Sequence, residues 1–125
     1  MLELTINNQV FKFKFGLGFM REMNKKQKKT ENGVTKEIGL QMGIAGIIDG
    51  DVEDLIEILD ISNKTEEPRI TRKQIEEFIE DEETDIDEVF ARVLDFLKSS
   101  NVTKKKTAQL LEMLEEQKKK ALDQA

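Results

Sequence analysis

The amino terminus of the chain contains two segments in which apolar and polar residues strictly alternate, separated by Asn7-Asn8. Residues 2–6 and 10–15 therefore have the period of β-strands that bury one face. A two-residue turn at Asn7-Asn8, where Asn tolerates the positive φ required, sets apolar residues opposite one another, whereas a shift by one residue would set leucines opposite lysines. The facing apolar pairs are Leu2 with Phe13 and Leu4 with Phe11. Because an isolated hairpin is only marginally stable, we expect helices to cover this face.

Apolar residues recur at helical spacing through most of the remaining chain, which has 125 residues in all. Helices are predicted over about 17–29, from 52 to about 61, from 72, after Thr84 and from about 103. The strongest pattern follows Thr84, which we expect to cap its helix. Its apolar residues are Ile86, Val89, Phe90, Val93, Leu94 and Leu97.

The helix predicted from Arg72 has a start signal in its sequence. Thr71 and Gln74 have the spacing of a capping box, in which each side chain pairs with the other residue's backbone N–H. Ile70 and Ile75 have the spacing of a hydrophobic staple across the same turn.

Three segments are harder to assign. Residues 30–37 contain an Asn32-Gly33 turn and one large apolar residue, so we expect a mobile loop. Residues 38–48 alternate as a strand would but also fit a helix, and their glycines weaken both interpretations; helix is favoured. Residues 62–69 contain the only proline of the chain and are predicted to be a linker.

Together these elements predict an α+β fold that is mainly α, with an N-terminal β-hairpin followed by five to six helices. Residues 1–102 are expected to form a single globular domain. Residues 103–125 are expected to form a C-terminal helix that is mobile or dependent on a partner, because its few apolar residues lie between or just beyond lysine runs.

The composition excludes several kinds of chemistry. With no Cys and no His, the chain cannot build a zinc finger, a disulfide framework or a Ser/His/Asp triad. No catalytic or cofactor motif is present, so we expect a non-enzymatic protein without cofactors. The net charge of -6 disfavours nucleic acid as a partner, and the apolar stretches are far shorter than the roughly 20 residues of a membrane span. A cytosolic protein follows.

Acidic residues between Asp49 and Asp60 approximate the spacing of a calcium loop, but Asp54 stands where such a loop needs glycine. The same residues fit a boundary between helices, with Gly50 just past the end of one and Asp51 capping the next. We therefore expect no metal site.

The last predicted helix carries the candidate partner-binding residues Leu110, Leu111, Met113 and Leu114. Earlier helices already supply strong apolar stripes, so little of the protein is left for these four to cover. A partner helix could lie against them, with Met113 adapting to different sequences. An equal alternative is that they dock on the protein's own core or form a homo-oligomer.

Several short runs occur along the chain in a characteristic order. They are FKFGLGFMREM at 13–23, ENGV at 31–34, GLQ at 39–41 leading to LIEIL at 55–59, NKTEEP at 63–68 and SSN at 99–101. Over roughly residues 1–105 this layout resembles the short tail assembly chaperones of long-tailed phages that infect Gram-positive bacteria.

The resemblance implies a non-enzymatic protein that binds the tape measure protein in the host cytoplasm. It would keep that protein soluble until tail tube subunits polymerise around it, and would be absent from the mature virion. The resemblance also implies a longer form, made by ribosomal frameshifting, that recruits the tail tube protein. Because the family has no invariant site motif, it assigns no functional residue to this chain.

A second hypothesis uses the acidic run at residues 76–88. A small acidic regulatory or inhibitor protein encoded by a phage could bind a host protein through such a surface. That binding would weaken steeply with salt, whereas binding in an apolar groove would not.

Overall fold

The computed structural model describes residues 1–123 and has the predicted α+β fold, mainly α. An N-terminal antiparallel hairpin is followed by a helix, a second antiparallel hairpin and five further helices. The elements are β1 (Leu2–Ile6), β2 (Gln9–Phe13), α1 (Leu17–Lys25), β3 (Lys28–Glu31), β4 (Val34–Glu37), α2 (Gly39–Asp49), α3 (Val52–Asn63), α4 (Arg72–Glu80), α5 (Ile86–Ser99) and α6 (Lys104–Asp123).

The first hairpin has the predicted register. Leu2 pairs with Phe13 and Leu4 with Phe11. The turn residues adopt positive φ, 51° at Asn7 and 64° at the residue after it. The apolar face of the hairpin is buried in the core, where the strands contact α3 and α5. The helices supply the cover that a two-stranded sheet needs.

The second hairpin corrects two sequence-based expectations. The first helix ends at Lys25 instead of continuing to residue 29, and residues 30–37 are not a loop: β3 and β4 pair antiparallel across the Asn32-Gly33 turn. Both turn residues have positive φ, 52° and 77°. Every residue of the two strands is exposed, so they lack the apolar alternation by which a half-buried strand is recognised.

Residues 39–49 form helix α2, as favoured from the sequence. Two of the three glycines that weakened this interpretation lie against α1, and the third, Gly46, lies against Asp54 of α3. A Cβ atom at Gly39 would overlap the carbonyl oxygen of Met23, and one at Gly43 would overlap the Met23 side chain. Glycine is thus retained at these positions because the two helices pack against each other there.

The boundary between α2 and α3 also follows the sequence. Gly50 ends α2 with a φ of 76°, and the Asp51 carboxylate caps α3 by accepting a 3.0 Å hydrogen bond from the backbone N–H of Asp54. Both assignments agree with the residues' ordinary preferences at helix ends.

The predicted linker at 62–69 is partly helical. Helix α3 continues to Asn63, whose fully buried side chain forms hydrogen bonds with the backbone of Lys12, Pro68 and Ile70. The next helix begins at Arg72 behind the predicted capping box, in which the Thr71 hydroxyl accepts a 3.1 Å bond from the N–H of Gln74.

Helix α5 begins one residue later than expected, because Asp85 and not Thr84 caps it. The Asp85 carboxylate accepts a 3.1 Å hydrogen bond from the N–H of Glu88. At its other end the carbonyl of Leu97 accepts a 2.7 Å bond from the hydroxyl of Thr103, which is buried at the start of α6.

Helix α6 runs from Lys104 to Asp123 and contacts α2 and α5. The last two residues of the predicted C-terminal helix lie outside the described residues. The division of the chain at residue 102 stays a prediction. Within residues 1–123 no helix is both long and apolar enough to span a bilayer.

Candidate functional site

Helices α2 and α6 lie side by side and run in the same direction. The start of α2, at the preceding residue Ile38 and at Gln41, borders the same cavity as Lys105 and Gln109 near the start of α6. Farther along, the last turns of α2 face residues 110–117 of α6. The two helices therefore form a pair of adjacent ridges on the surface, with a seam between them.

A groove of about 350 Å³ lies along this seam and is called the α2–α6 groove here. Each helix contributes residues at i, i+3, i+4 and i+7, the positions that share one helical face. From α2 these are Met42, Ala45, Gly46 and Asp49; from α6 they are Leu110, Met113, Leu114 and Gln117. Asp51 and Asp54 complete the lining beside the last turn of α2.

The structure brings three of the four candidate partner-binding residues together in this groove. Leu110 is 8% exposed and packs into the protein's own core, which is the alternative that the sequence left open for it. Leu114 is half-buried, and Met113 is 51% exposed. Leu111 is half-buried and does not line the groove.

The α2 half of the groove was not identified from the sequence. Met42 is 42% exposed and stands opposite the α6 residues. Met42 belongs to the stretch 38–48, whose sequence fits both a strand and a helix. Because the two periods place its side chain on different faces, the sequence does not indicate that it is exposed beside α6. Two exposed methionines, Met42 and Met113, give the groove flexible apolar walls.

One end of the groove is strongly acidic. Asp49 lies in the last turn of α2, and Asp51 and Asp54 lie at the start of α3. The Asp54 carboxylate sits against Gly46, where a Cβ atom would overlap it. Burial raises the pKa of Asp54, and the negative charges of Asp51, Glu57 and Glu53 raise it further.

A second, larger cleft of about 830 Å³ lies between the first hairpin and helices α4 and α5. It gathers much of the acidic run at residues 76–88, together with the half-buried Phe78. The acidic lining residues are Glu3, Glu77, Asp81, Glu83, Asp85 and Glu88. Arg92 lies among them and donates a 2.8 Å hydrogen bond to the carbonyl of Glu3. Asp81 and Asp85 accept bonds from nearby backbone N–H groups, so part of this charge stabilises helix ends and turns.

The carboxylates do not form a metal cage. Within residues 1–123 no group of three or more acidic side chains is arranged to hold a metal ion. In the calcium-like window, Asp51 acts as the cap of α3.

The model of one protein family, described as phage tail assembly chaperone protein, matches residues 3–112. The chain belongs to this family. Comparisons with curated proteins and with solved structures find no match.

The resemblance seen in the sequence is thereby confirmed at the level of a phage tail assembly chaperone. The family match spans both hairpins, helices α1 to α5 and the first part of α6. It includes Leu110 and Leu111 and ends just before Met113. Most of the α2–α6 groove of this tail assembly chaperone thus lies within the region that defines the family.

Proposed function

We propose that this tail assembly chaperone binds a helical segment of the tape measure protein in the α2–α6 groove and so keeps that protein soluble. The observation that carries the proposal is a groove lined by two exposed methionines, Met42 from α2 and Met113 from α6, in a member of an assembly chaperone family. An assembly chaperone has to cover the apolar surface of its partner until that surface is buried in the completed assembly.

The form of the groove supports a helix as its occupant. Two adjacent helices present residues at the same i, i+3, i+4, i+7 spacing, which is the spacing at which a third helix offers its own apolar face. Methionine side chains are unbranched and adjust to different shapes, so one groove can accept successive segments of a long helical protein.

Co-expression with the tape measure protein of the same phage tests this proposal. The chain should move the tape measure protein into the soluble fraction after centrifugation, and Met113→Asp and Leu114→Asp should abolish that effect. An Asp side chain in the groove places a charge against the apolar face of the partner. The matched control is Leu122→Asp, since Leu122 is on the same helix, is 76% exposed and lies outside the groove.

Circular dichroism melts of the variants separate a lost binding site from a lost fold. The proposal is wrong if the tape measure protein is equally soluble without the chain, or if both groove variants solubilise it as well as the Leu122→Asp control does. Leu110 is unsuitable for this test because its burial makes it part of the core.

We further propose that the protein is non-enzymatic, uses no cofactor, and works in the host cytoplasm without remaining in the mature virion. A longer frameshifted form would recruit the tail tube protein. Several copies of the chain, as a homo-oligomer, would bind successive segments of one tape measure protein. Mass spectrometry of purified virions should find no peptides of this chain, although infected-cell lysates contain them. Affinity purification should recover the tail tube protein with the longer form and not with residues 1–125 alone.

The inhibitor hypothesis has less support. Membership of an assembly chaperone family favours a partner within the phage tail over a host enzyme. The acidic cleft is also partly engaged in capping the protein's own helix and turn.

A further inference from the structure

The acidic end of the α2–α6 groove sets a requirement on whatever lies in it. Asp49 and Asp51 are exposed and Asp54 is half-buried, and all three border the same cavity as the apolar residues. On α2, Asp49 follows Met42 by about two turns, and the Asp54 carboxylate lies against Gly46, about one turn after Met42, so the charges lie toward the carboxyl end of α2. An apolar helix placed along the groove would desolvate these carboxylates without compensating them.

No ion pair found in the described part of the chain involves the carboxylates at this end of the groove. By contrast, Glu57, on the next turn of α3 after Asp54, pairs with both Lys26 and Arg72. The charges that shift the pKa of Asp54 are all negative. One oxygen of Asp51 is taken by the N–H of Asp54 in the cap of α3, and this bond leaves the carboxylate charge in place.

We infer that the occupant of the groove is an amphipathic helix that presents Lys or Arg to Asp49, Asp51 and Asp54, about one to two turns along from the apolar residue that contacts Met42. The inference rests on the proposed function, because it describes the tape measure segments that bind there. It adds a rule for choosing among them: apolar residues at i, i+3, i+4 and i+7, followed by a basic turn at one end.

The requirement gives the groove selectivity that apolar contact alone lacks. A long helical protein offers many apolar faces, and contacts with flexible methionines discriminate little among them. Acidic residues at the end of the groove favour segments with a basic turn in that position and disfavour segments with an acidic one. The same charges fix how far along the groove a bound helix lies.

Two synthetic helical peptides of about 18 residues, long enough to span the groove, provide the test. Both carry the same apolar face; the first places two Lys residues at the turn facing Asp49 and two Glu residues on its solvent face, and the second exchanges them. Composition and net charge are therefore equal, so the overall charge of -6 on the protein does not favour either peptide. Binding is measured by fluorescence anisotropy on the full chain, at low salt and near physiological salt.

The first peptide should bind about three- to tenfold more tightly than the second, the range expected for a partly desolvated ion pair. The preference should shrink as salt rises. It should fall in the Asp49→Asn, Asp54→Asn double variant, which removes two of the three charges and retains the Asp51 cap, and should be unchanged in the control Asp87→Asn, an exposed acid of α5 outside the groove.

Equal affinities for the two peptides, a preference that is undiminished in the double variant, or failure of both peptides to bind would each overturn the inference. The proposed function is judged separately by Met113→Asp. If the two peptides bind equally and Met113→Asp abolishes their binding, the groove is a helix site and only the charge requirement is wrong. If Met113→Asp leaves peptide binding unchanged, the location of the site itself is wrong.

Discussion

The side-chain oxygen of Asn63 accepts a 2.7 Å hydrogen bond from the backbone N–H of Ile70, seven residues farther along the chain. The amide nitrogen of the same side chain donates a 2.9 Å bond to the carbonyl of Lys12 in strand β2. One fully buried side chain thus holds the end of α3, the start of α4 and the first hairpin together. It does so inside a segment that sequence pattern alone assigned to a linker.

Asn63→Ala should lower the free energy of unfolding by about 2–4 kcal/mol, because it leaves the buried N–H of Ile70 and the carbonyl of Lys12 without this partner. Urea unfolding followed by circular dichroism measures the loss. The control is Asn101→Ala, at an exposed position between α5 and α6. A similar small effect for both substitutions would show that the Asn63 network contributes little.

Gly39→Ala and Gly18→Ala should have opposite effects, although both glycines lie in helices. At Gly39 the new Cβ would overlap the backbone oxygen of Met23 and force α1 and α2 apart, at a cost of roughly 3 kcal/mol. At Gly18 the nearest atom is 3.7 Å away, so alanine should stabilise α1 by up to about 1 kcal/mol. Thermal melts distinguish the two. A tolerated alanine at 39 would mean that the α1–α2 contact is looser than described.

Thr71→Ala should cost about 1 kcal/mol, because the N–H of Gln74 loses its capping acceptor. Ile70→Ala should cost more, roughly 2–5 kcal/mol, since Ile70 is 0% exposed and belongs to the core as well as to the staple. Denaturant midpoints of the two variants give the comparison. A stability equal to wild type for Thr71→Ala would show that the capping box does not stabilise the start of α4.

The ion pairs of Glu57 predict a dependence of stability on acid pH. Burial alone would raise the pKa of Glu57, but hydrogen bonds and charges from Lys26 and Arg72 lower it overall. A folded-state pKa below the unfolded value of about 4.3 means that the contribution is present above that pH and is lost as pH falls through the folded pKa. Glu57→Gln should therefore lower the melting temperature at pH 7 and have a progressively smaller effect below about pH 4.

The matched control for this titration is Glu115→Gln on α6, an exposed acid that takes part in none of the ion pairs found within residues 1–123. Its melting temperature should follow that of the wild type at every pH. If the difference between wild type and Glu57→Gln grows as the solution is acidified, the direction assigned to the pKa of Glu57 is wrong.

Features that depend on neighbours within a few residues were predictable. The Asn7-Asn8 turn and its register follow from backbone preferences and alternation, and the caps at Asp51 and Thr71 follow from local hydrogen bonding. The second hairpin had a local signal too, the Asn32-Gly33 turn, but its exposed strands have no buried face to reveal their period. The cap of α5 was misassigned by one residue because Thr84 and Asp85 are both good capping residues and only the geometry of the chain selects between them.

The candidate site likewise has residues that the sequence predicted and features that depend on tertiary packing. The apolar residues of α6 singled out Leu110, Leu111, Met113 and Leu114, and all of these except Leu111 line the groove. That Leu110 is buried, that Met42 lines the same groove as Met113, and that acidic residues lie toward one end depend on how α2 and α6 pack together.

The sequence by itself determined which local elements form and where most of them start, because turns, caps and periodicity act between residues that are close in the chain. Only the tertiary structure decided which helices lie side by side, and with them the groove, because contacts between distant segments depend on the shapes of whole surfaces. Gly39 shows the difference. In the sequence, a glycine at this position lowers the helix propensity of the segment, whereas in the folded protein the backbone of Met23 leaves no room for any larger residue.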